Sequence, residues 1–298
     1  MIDTVNQKTL NAEAIRERLQ DIRSQAEIAK IIPSQLQGIF VRKIDDQLEL
    51  YCYDPDTRSL SECMSRIDLI NPLNLISPYT QTAFMTSCWG TTTPKRIYIA
   101  GFGGGCLGQV FHHYFPKAVI DGSEVDPAML RVAETYFGVT FDTRYDVRSG
   151  DGREDLESRE PPYDIIIIDV FFGNGTHANH LATSEFFEMC SRKLTANGVL
   201  CVNIIEKDPF HKNKIAAIES AFDYCYGWNV NGARVTFASQ EPLNREEFLA
   251  RLSQFVETEN LTFPVMDRAE ELSFISPDPF VSPLSDQTVL EQYEKMFG

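Results

Sequence analysis

Arg96-Ile97-Tyr98-Ile99-Ala100-Gly101-Phe102-Gly103-Gly104-Gly105 is the stretch from which the rest of the chain can be read. A short apolar run stops at a glycine cluster and passes into a helix-favouring segment that extends to about Tyr114. That order predicts a strand, a tight turn and a helix. Glycines in such a turn let the backbone bend sharply and approach a ligand, with the helix N–H groups facing it. Downstream the alternation continues. A strand is expected over 118–124, and Pro127 opens a helix to about Tyr136, as proline often does at a first helical position. A strand over 146–149, a short helix near 153–158 and a strand over 164–170 come next. A helix over 184–194, ended by a cap signal at Asn197-Gly198, leads to a strand over 199–205. Strands alternating with helices, several of them almost wholly apolar, imply an α/β protein whose mostly parallel, doubly wound sheet is covered on both faces.

Three acids stand at the ends of the later strands. Glu124 closes the second, 19 residues beyond Gly105, where a carboxylate would accept hydrogen bonds from both ribose hydroxyls. Asp151 lies in Gly150-Asp151-Gly152-Arg153, and Asp169 follows Ile165-Ile166-Ile167-Ile168. A charge at the end of four isoleucines is costly to desolvate unless it is paired or used. Ligands of open parallel sheets sit beyond the carboxyl ends of the strands, so the glycine turn and the three acids are expected around one crevice.

The flanks are less regular. Residues 9–31 read as helical, and the runs 38–43 and 47–53 read as a β-hairpin. A small N-terminal domain over 1–94 is therefore expected beside a Rossmann-like domain over 95–298. Beyond it a helix near 211–224, a strand over 229–238 and a helix near 244–257 are expected, and the last forty residues carry no clear pattern.

Acidic residues outnumber basic ones by 43 to 27, a net charge of −16. Such a surface repels phosphate backbones and anionic headgroups, which argues against nucleic-acid and membrane partners and suits a neutral or cationic small acceptor. The seven cysteines are scattered without a C-x-x-C pair, so neither a disulfide framework nor a zinc ribbon is expected. No apolar leader or membrane-length run is apparent, which makes the cytoplasm the expected location.

Together the glycine turn, Ser123-Glu124-Val125-Asp126-Pro127, Gly150-Asp151-Gly152-Arg153, Tyr163 to Asp169 and His180-Leu181-Ala182-Thr183-Ser184-Glu185-Phe186-Phe187 resemble the spermidine synthase family, within the S-adenosylmethionine-dependent methyltransferase folds. The likeness covers about 95–205 and extends loosely upstream to Tyr79. It implies that Gly101, Gly103 and Gly105 flank the amino-acid or aminopropyl end of the donor. It further implies that Glu124 holds the ribose, that Asp151 and Gly152 contact adenine, and that Asp169 helps to deprotonate the attacking amine. A dimer, and S-adenosylmethionine or its decarboxylated form as co-substrate without a metal, are implied in the same way.

The departures are specific. The aspartate of the family's G-G-G-D-G-G falls at Gly104, the second acid of its D-S-S-D at Phe172, and its Y-[HQ]-E element appears as Tyr79-Thr80-Gln81. Losing the acid at 104 leaves room for a donor that keeps its carboxylate. Methyl transfer to a small amine-like acceptor is therefore expected, with Asp169 and Tyr79 in the chemistry and Gln81, Phe172 and His180 at the acceptor. His177 and His180, three apart, lack an evident third metal ligand. Four alternatives stay open: aminopropyl transfer in polyamine synthesis, a lyase or cyclase releasing methylthioadenosine, a nicotinamide-dependent oxidoreductase, and a nucleoside-binding protein without catalysis. Gly103-x-Gly105-x-x-Gly108 would serve the oxidoreductase, which leaves Asp151 and Asp169 without roles.

Overall fold

The structure, a computed structural model, describes residues 4–91, 93–160, 162–171, 178–230 and 232–297. Its N-terminal part is larger than a hairpin. Helices α1 (Thr4–Arg18) and α2 (Gln20–Ser24) precede β1 (Ala29–Ile32), β2 (Gly38–Ile44), β3 (Gln47–Asp54), β4 (Ser59–Leu60) and β5 (Ser65–Asp68). These strands form an antiparallel sheet in which β3 pairs with β2 on one side and with β4 and β5 on the other. The expected helix over 9–31 thus stops early: Ala29 to Ile32 pair with β2 as an edge strand, a tertiary pairing that local spacing does not reveal.

After α3 (Pro78–Phe84) and a 3₁₀ turn over Met85–Cys88 comes the main layer. It contains β6 (Arg96–Ala100), α4 (Cys106–Tyr114), β7 (Val119–Glu124), α5 (Pro127–Tyr136), β8 (Tyr145–Ser149), α6 (Gly152–Ser158) and β9 (Tyr163–Ile168). Then follow α7 (Ser184–Lys193), β10 (Leu194–Ile205), α8 (His211–Ala221), β11 (Tyr224–Val230), β12 (Ala233–Ser239) and α9 (Arg245–Glu259). The chain closes with α10 (Met266–Glu271), β13 (Ser273–Phe274) and α11 (Asp286–Phe297).

The eight strands run in the order β13-β11-β12-β10-β9-β6-β7-β8. Those from β10 to β8 are parallel, whereas β12, β11 and β13 add an antiparallel edge. The strand expected over 229–238 is divided by a turn: Asn229 and Val230 end β11, Gly232 has φ +82°, and residues 233–238 lie in β12. The cap expected at Asn197-Gly198 also moves. Helix α7 ends at Lys193, and the two residues lie within β10 where its register against β9 shifts.

Chain order reverses at β6. The chain goes from β6 to β7 and β8 on one side, then returns to place β9 and β10 on the other. A crevice opens where neighbouring connections leave in opposite directions, at the carboxyl ends of β6 and β9. Ile165 to Ile168 are buried on both faces of β9, as their unbroken apolar run requires. The boundary expected at 94/95 falls in the loop before β6, but the core runs across it. Ile39, Val41, Leu48 and Leu50 of the small sheet share one apolar cluster with Phe84, Leu107 and Phe111. Six of the seven cysteines are buried, Cys63 is half-buried, and all are free thiols. Among the described residues no helix is long and apolar enough to cross a membrane, and no group of His, Cys, Asp and Glu could hold a metal ion.

Candidate active site

The crevice is a cavity of about 860 Å³, within the range of small-molecule and cofactor sites. Gly101, Gly103, Glu124, Asp151, Gly152 and Asp169 all line it, together with Tyr79 and His180. The antiparallel sheet closes one wall with Met64, Ser65 and Arg66, and the loop after β10 contributes Lys207 and Asp208.

Gly101 makes the turn possible. Its φ is +83°, and a Cβ there would stand 2.1 Å from the carbonyl oxygen of Asp169. Its N–H donates to Ser123 at 3.0 Å, while the Asp169 N–H donates to the Ala100 carbonyl at 2.9 Å. The ends of β6, β7 and β9 are thereby pinned together. Gly105 lies behind this turn rather than in the cavity wall, packed under the Phe102 ring. Of the three glycines expected to flank a donor, Gly101 and Gly103 line the cavity and Gly105 does not.

Glu124 latches the same turn. One carboxylate oxygen accepts from the N–H groups of Phe102 at 3.0 Å and Gly103 at 3.2 Å, and the other from Asp126 at 3.0 Å. Burial pushes its pKa above the usual carboxylate value, against the pull of these backbone donors. Four lone-pair sites are available on a carboxylate, so ribose hydroxyls can join the backbone donors without displacing all of them. Asp126 caps α5 through Ala128, at 2.9 Å, and accepts a hydrogen bond from Ser34 of the N-terminal region.

Asp151 is more committed than a free adenine ligand would be. One oxygen caps α6 at the N–H groups of Arg153 (2.9 Å) and Glu154 (3.2 Å), and the other meets His180 Nε2 at 2.6 Å. The hydrogen bond from His180 is the main reason its pKa is lowered. Arg153 holds the backbone carbonyl of His180 at 3.0 Å and forms a two-pronged pair with Asp286, both contacts at 2.7 Å. Part of the C-terminal segment that sequence left undetermined is thus tied to the cavity wall.

Asp169 accepts from Asn203 Nδ2 at 3.0 Å and has the Tyr79 hydroxyl within hydrogen-bonding reach. Burial lifts its pKa to about 6, while the two donors pull the other way. Tyr79 donates to the Met64 carbonyl at 3.0 Å, and its own pKa is pushed far up by burial and by Asp169. A carboxylate poised near neutrality beside a cavity suits proton acceptance.

Two expectations change. Gln81 does not reach the cavity: it is buried, donates to the Leu75 carbonyl at 2.6 Å and accepts from Arg268 at 2.5 Å. On the helical turn that presents Tyr79, a residue two positions on points elsewhere, which excludes it as an acceptor ligand. Phe172 and His177 lie outside the described residues. Sequence reading also missed Asn203 and Ser65. Asn203 carried a legible signal, a polar amide interrupting the apolar run Val199–Ile205, whereas Ser65 had none because only tertiary packing brings it to the turn.

At Gly104 the family's missing acid has a structural counterpart. A Cβ at this position would come within 2.9 Å of both the Phe137 ring and the Ser65 Cβ. The Ser65 hydroxyl accepts from the Gly104 N–H at 2.9 Å. Gly104→Asp is accordingly expected to overpack the turn and cost about 1–3 kcal/mol. Urea denaturation checks this, and a variant as stable as wild type would show that the turn can open to admit the side chain.

Residues 83–227 match the model of the spermine/spermidine synthase domain. Over 150 residues the chain is 31% identical to an eEF1A lysine and N-terminal methyltransferase of Mus musculus, covering 47% of this chain and 22% of that protein. Over 168 residues it is 28% identical to a polyamine aminopropyltransferase of Vibrio vulnificus (strain CMCP6), covering 54% and 56%. The chain therefore spans less than a quarter of the first relative and little more than half of the second. A probable spermidine synthase from Corynebacterium glutamicum ATCC 13032 superposes with a TM-score of 0.67 at 19% identity, over 87% of this chain and 96% of that one. That likeness establishes the fold.

Proposed function

We propose that this chain, which carries a spermidine synthase-like domain, is a transferase that moves a methyl group from S-adenosylmethionine to an amine held beside Asp169. The packing of Gly104 carries the choice of methyl. An acid at this position would oppose a donor carboxylate, and here the space is filled by Phe137 and Ser65, which present no charge. The remaining walls fit a nucleoside: a glycine turn that brings the backbone to the cavity at Gly101 and Gly103, Glu124 at the next strand end, and Asp151 with Gly152 at the third. The two relatives are named for nitrogen-bearing acceptors, lysine and N-terminus in one and polyamine in the other. The acidic surface suits a cationic partner, small molecule or peptide.

Transfer of an aminopropyl group from the decarboxylated donor is the second reading, supported by the Tyr79–Asp169 pair that it would also use. Against it stand the acids at the cavity mouth. Glu62 faces Lys207 at 3.5 Å, and Asp208 is joined to the buried Lys214 at 2.5 Å. Each is already answered by a lysine, which weakens its hold on the far ammonium of a diamine.

Titration calorimetry decides between the two. S-adenosylmethionine is expected to bind at least as tightly as its decarboxylated form, and turnover is expected to release S-adenosylhomocysteine. A clear preference for the decarboxylated donor, with methylthioadenosine as product, would reverse the assignment.

A further inference from the structure

Asp151 stands in a closed ring of hydrogen bonds that is held from far along the chain. One carboxylate oxygen accepts from the Arg153 and Glu154 N–H groups, and the other accepts from His180 Nε2 at 2.6 Å. A carboxylate only accepts, so that ring nitrogen carries the proton. The Arg153 side chain turns back to the His180 carbonyl at 3.0 Å, which closes the ring. Asp286 grips the guanidinium from outside through two contacts of 2.7 Å, and its Oδ1 also accepts from Thr183 at 2.7 Å. Glu185 and Glu157 attract the same guanidinium, less strongly than Asp286 does. Without Asp286, Glu157 is the acid one helical turn along α6 that would draw Arg153 away from His180. The segment that carries Asp286 is itself anchored. Leu284 is buried, its N–H donates to the Asn213 carbonyl at 3.0 Å, and its carbonyl accepts from Ser184 at 2.8 Å. Asp286 lies beyond residues 83–227, the part that matches the family domain.

We propose that Asp286 is a positioning residue for the nucleobase, acting through Arg153 and His180 to aim the Asp151 carboxylate at a purine amino group. The inference rests on the reading of the cavity as a nucleoside site. It adds how the base is chosen and which distant segment controls the choice. Three of the roughly four acceptor sites on Asp151 are occupied, and the residue lines the cavity. The site that remains takes one N–H, and the ring of bonds keeps the carboxylate from turning. An amino group at the 6-position of a purine supplies that N–H. A 6-oxo purine puts a carbonyl there and moves its N–H to the ring. A carboxylate held in place meets the carbonyl, lone pair against lone pair, whereas one free to turn can reach the ring N–H. The two-pronged pair suits this task because a planar guanidinium fixes direction as well as charge. Arg153 and Asp286 keep 26% and 43% of their side chains exposed, so the pair acts on geometry far more than on global stability.

The test is calorimetric binding of S-adenosylhomocysteine and S-inosylhomocysteine to the full chain. Wild type is expected to bind the adenosyl probe more than about tenfold tighter than the inosyl one. Asp286→Ala is expected to lose about fivefold in adenosyl affinity and to shrink that preference to about threefold or less. A merely structural role would weaken both probes equally and leave the preference unchanged. In a His180→Ala background the same substitution should cost less than about twofold further, because the route from Asp286 to Asp151 is already cut. Asp286→Asn keeps the shape and the Thr183 bond, should move both readouts the same way by less, and stands in if the alanine variant folds poorly. Equal binding of the two probes by wild type overturns the proposal, as does an unchanged preference in Asp286→Ala or full additivity with His180→Ala. If wild type binds neither probe, the nucleoside reading falls and amide exchange judges the ring alone. Asp286→Ala should then speed exchange of the Leu181 and Ala182 N–H groups, which close the turn carrying His180, at least about fivefold. Unchanged exchange overturns the proposal on its own.

Discussion

Replacing Asp169 by asparagine is expected to remove turnover and, above pH 6, to make the protein more stable. The first effect follows from the loss of the proton acceptor, about 10²- to 10⁴-fold in rate. The second follows from burial, which lifts the Asp169 pKa from 3.8 to about 6. An acid whose folded pKa is raised binds its proton more tightly in the native state, so between about pH 4 and 6 native molecules hold a proton that unfolded ones have lost. Stability then falls as pH rises through that window and stays lower above it, by on the order of 1–3 kcal/mol at pH 8. Asparagine has the same shape and no charge. Its oxygen can keep the Asn203 bond, and its amide can donate to the Tyr79 oxygen once the hydroxyl proton turns fully to the Met64 carbonyl, the other acceptor within its reach. Urea denaturation of both proteins at pH 5 and pH 8 checks the prediction. The advantage of the variant should be about twice as large at pH 8 as at pH 5. An equal difference at both values would mean that Asp169 titrates as an ordinary surface aspartate. In wild type the rate should climb with pH through about 6, as a carboxylate base with this pKa requires.

The residues that form this site were unevenly legible. The turn at Gly101, Glu124 and Asp169 could be found because strand-end chemistry repeats at a spacing set by the βα unit, a local property of the chain. The helix from Pro127 to Tyr136 was likewise fixed by its own ends, with proline at the first position and Asp126 as cap. Elements defined by distant partners could not be found this way. Ala29 to Ile32 form a strand only because β2 offers an edge, and the register shift at Leu194 to Val199 exists only against β9. The family resemblance also misplaced Gln81, because a motif aligns residues without showing which way a short helix turns them. Asn203 shows the opposite case. Its amide was visible in the sequence, but its meaning depended on Asp169, 34 positions away, lying beside it.

The same dependence on distant partners makes Arg159→Leu the change expected to harm stability most, although Arg159 lies outside the cavity lining. Its guanidinium reaches Asp121 at 2.7 Å, Asp146 at 2.9 Å and Asp155 at 2.9 Å, and donates to the carbonyls of Gly122 (3.1 Å) and Asp146 (3.3 Å). Asp121 and Asp155 are buried with it. Removing one partner of a buried ionic cluster leaves the others desolvated without compensation, at a cost of about 3–5 kcal/mol. Asp121 would retain Arg96 at 2.9 Å, whereas Asp155 would be left with the Tyr98 hydroxyl at 3.0 Å and Arg148 at 3.6 Å. Tyr98 in turn bonds Ser123 and the Gly152 carbonyl, both at 3.0 Å, and both residues line the cavity. The damage should therefore extend to the nucleoside site, weakening S-adenosylhomocysteine binding in whatever fraction of the protein stays folded. Lysine cannot substitute, because one ammonium cannot span three carboxylates and two carbonyls, so Arg159→Lys should recover only part of the loss. Urea denaturation paired with calorimetry reads both effects. A leucine variant within about 1 kcal/mol of wild type would show that solvent reaches these carboxylates and that the floor beneath Gly152 does not depend on them.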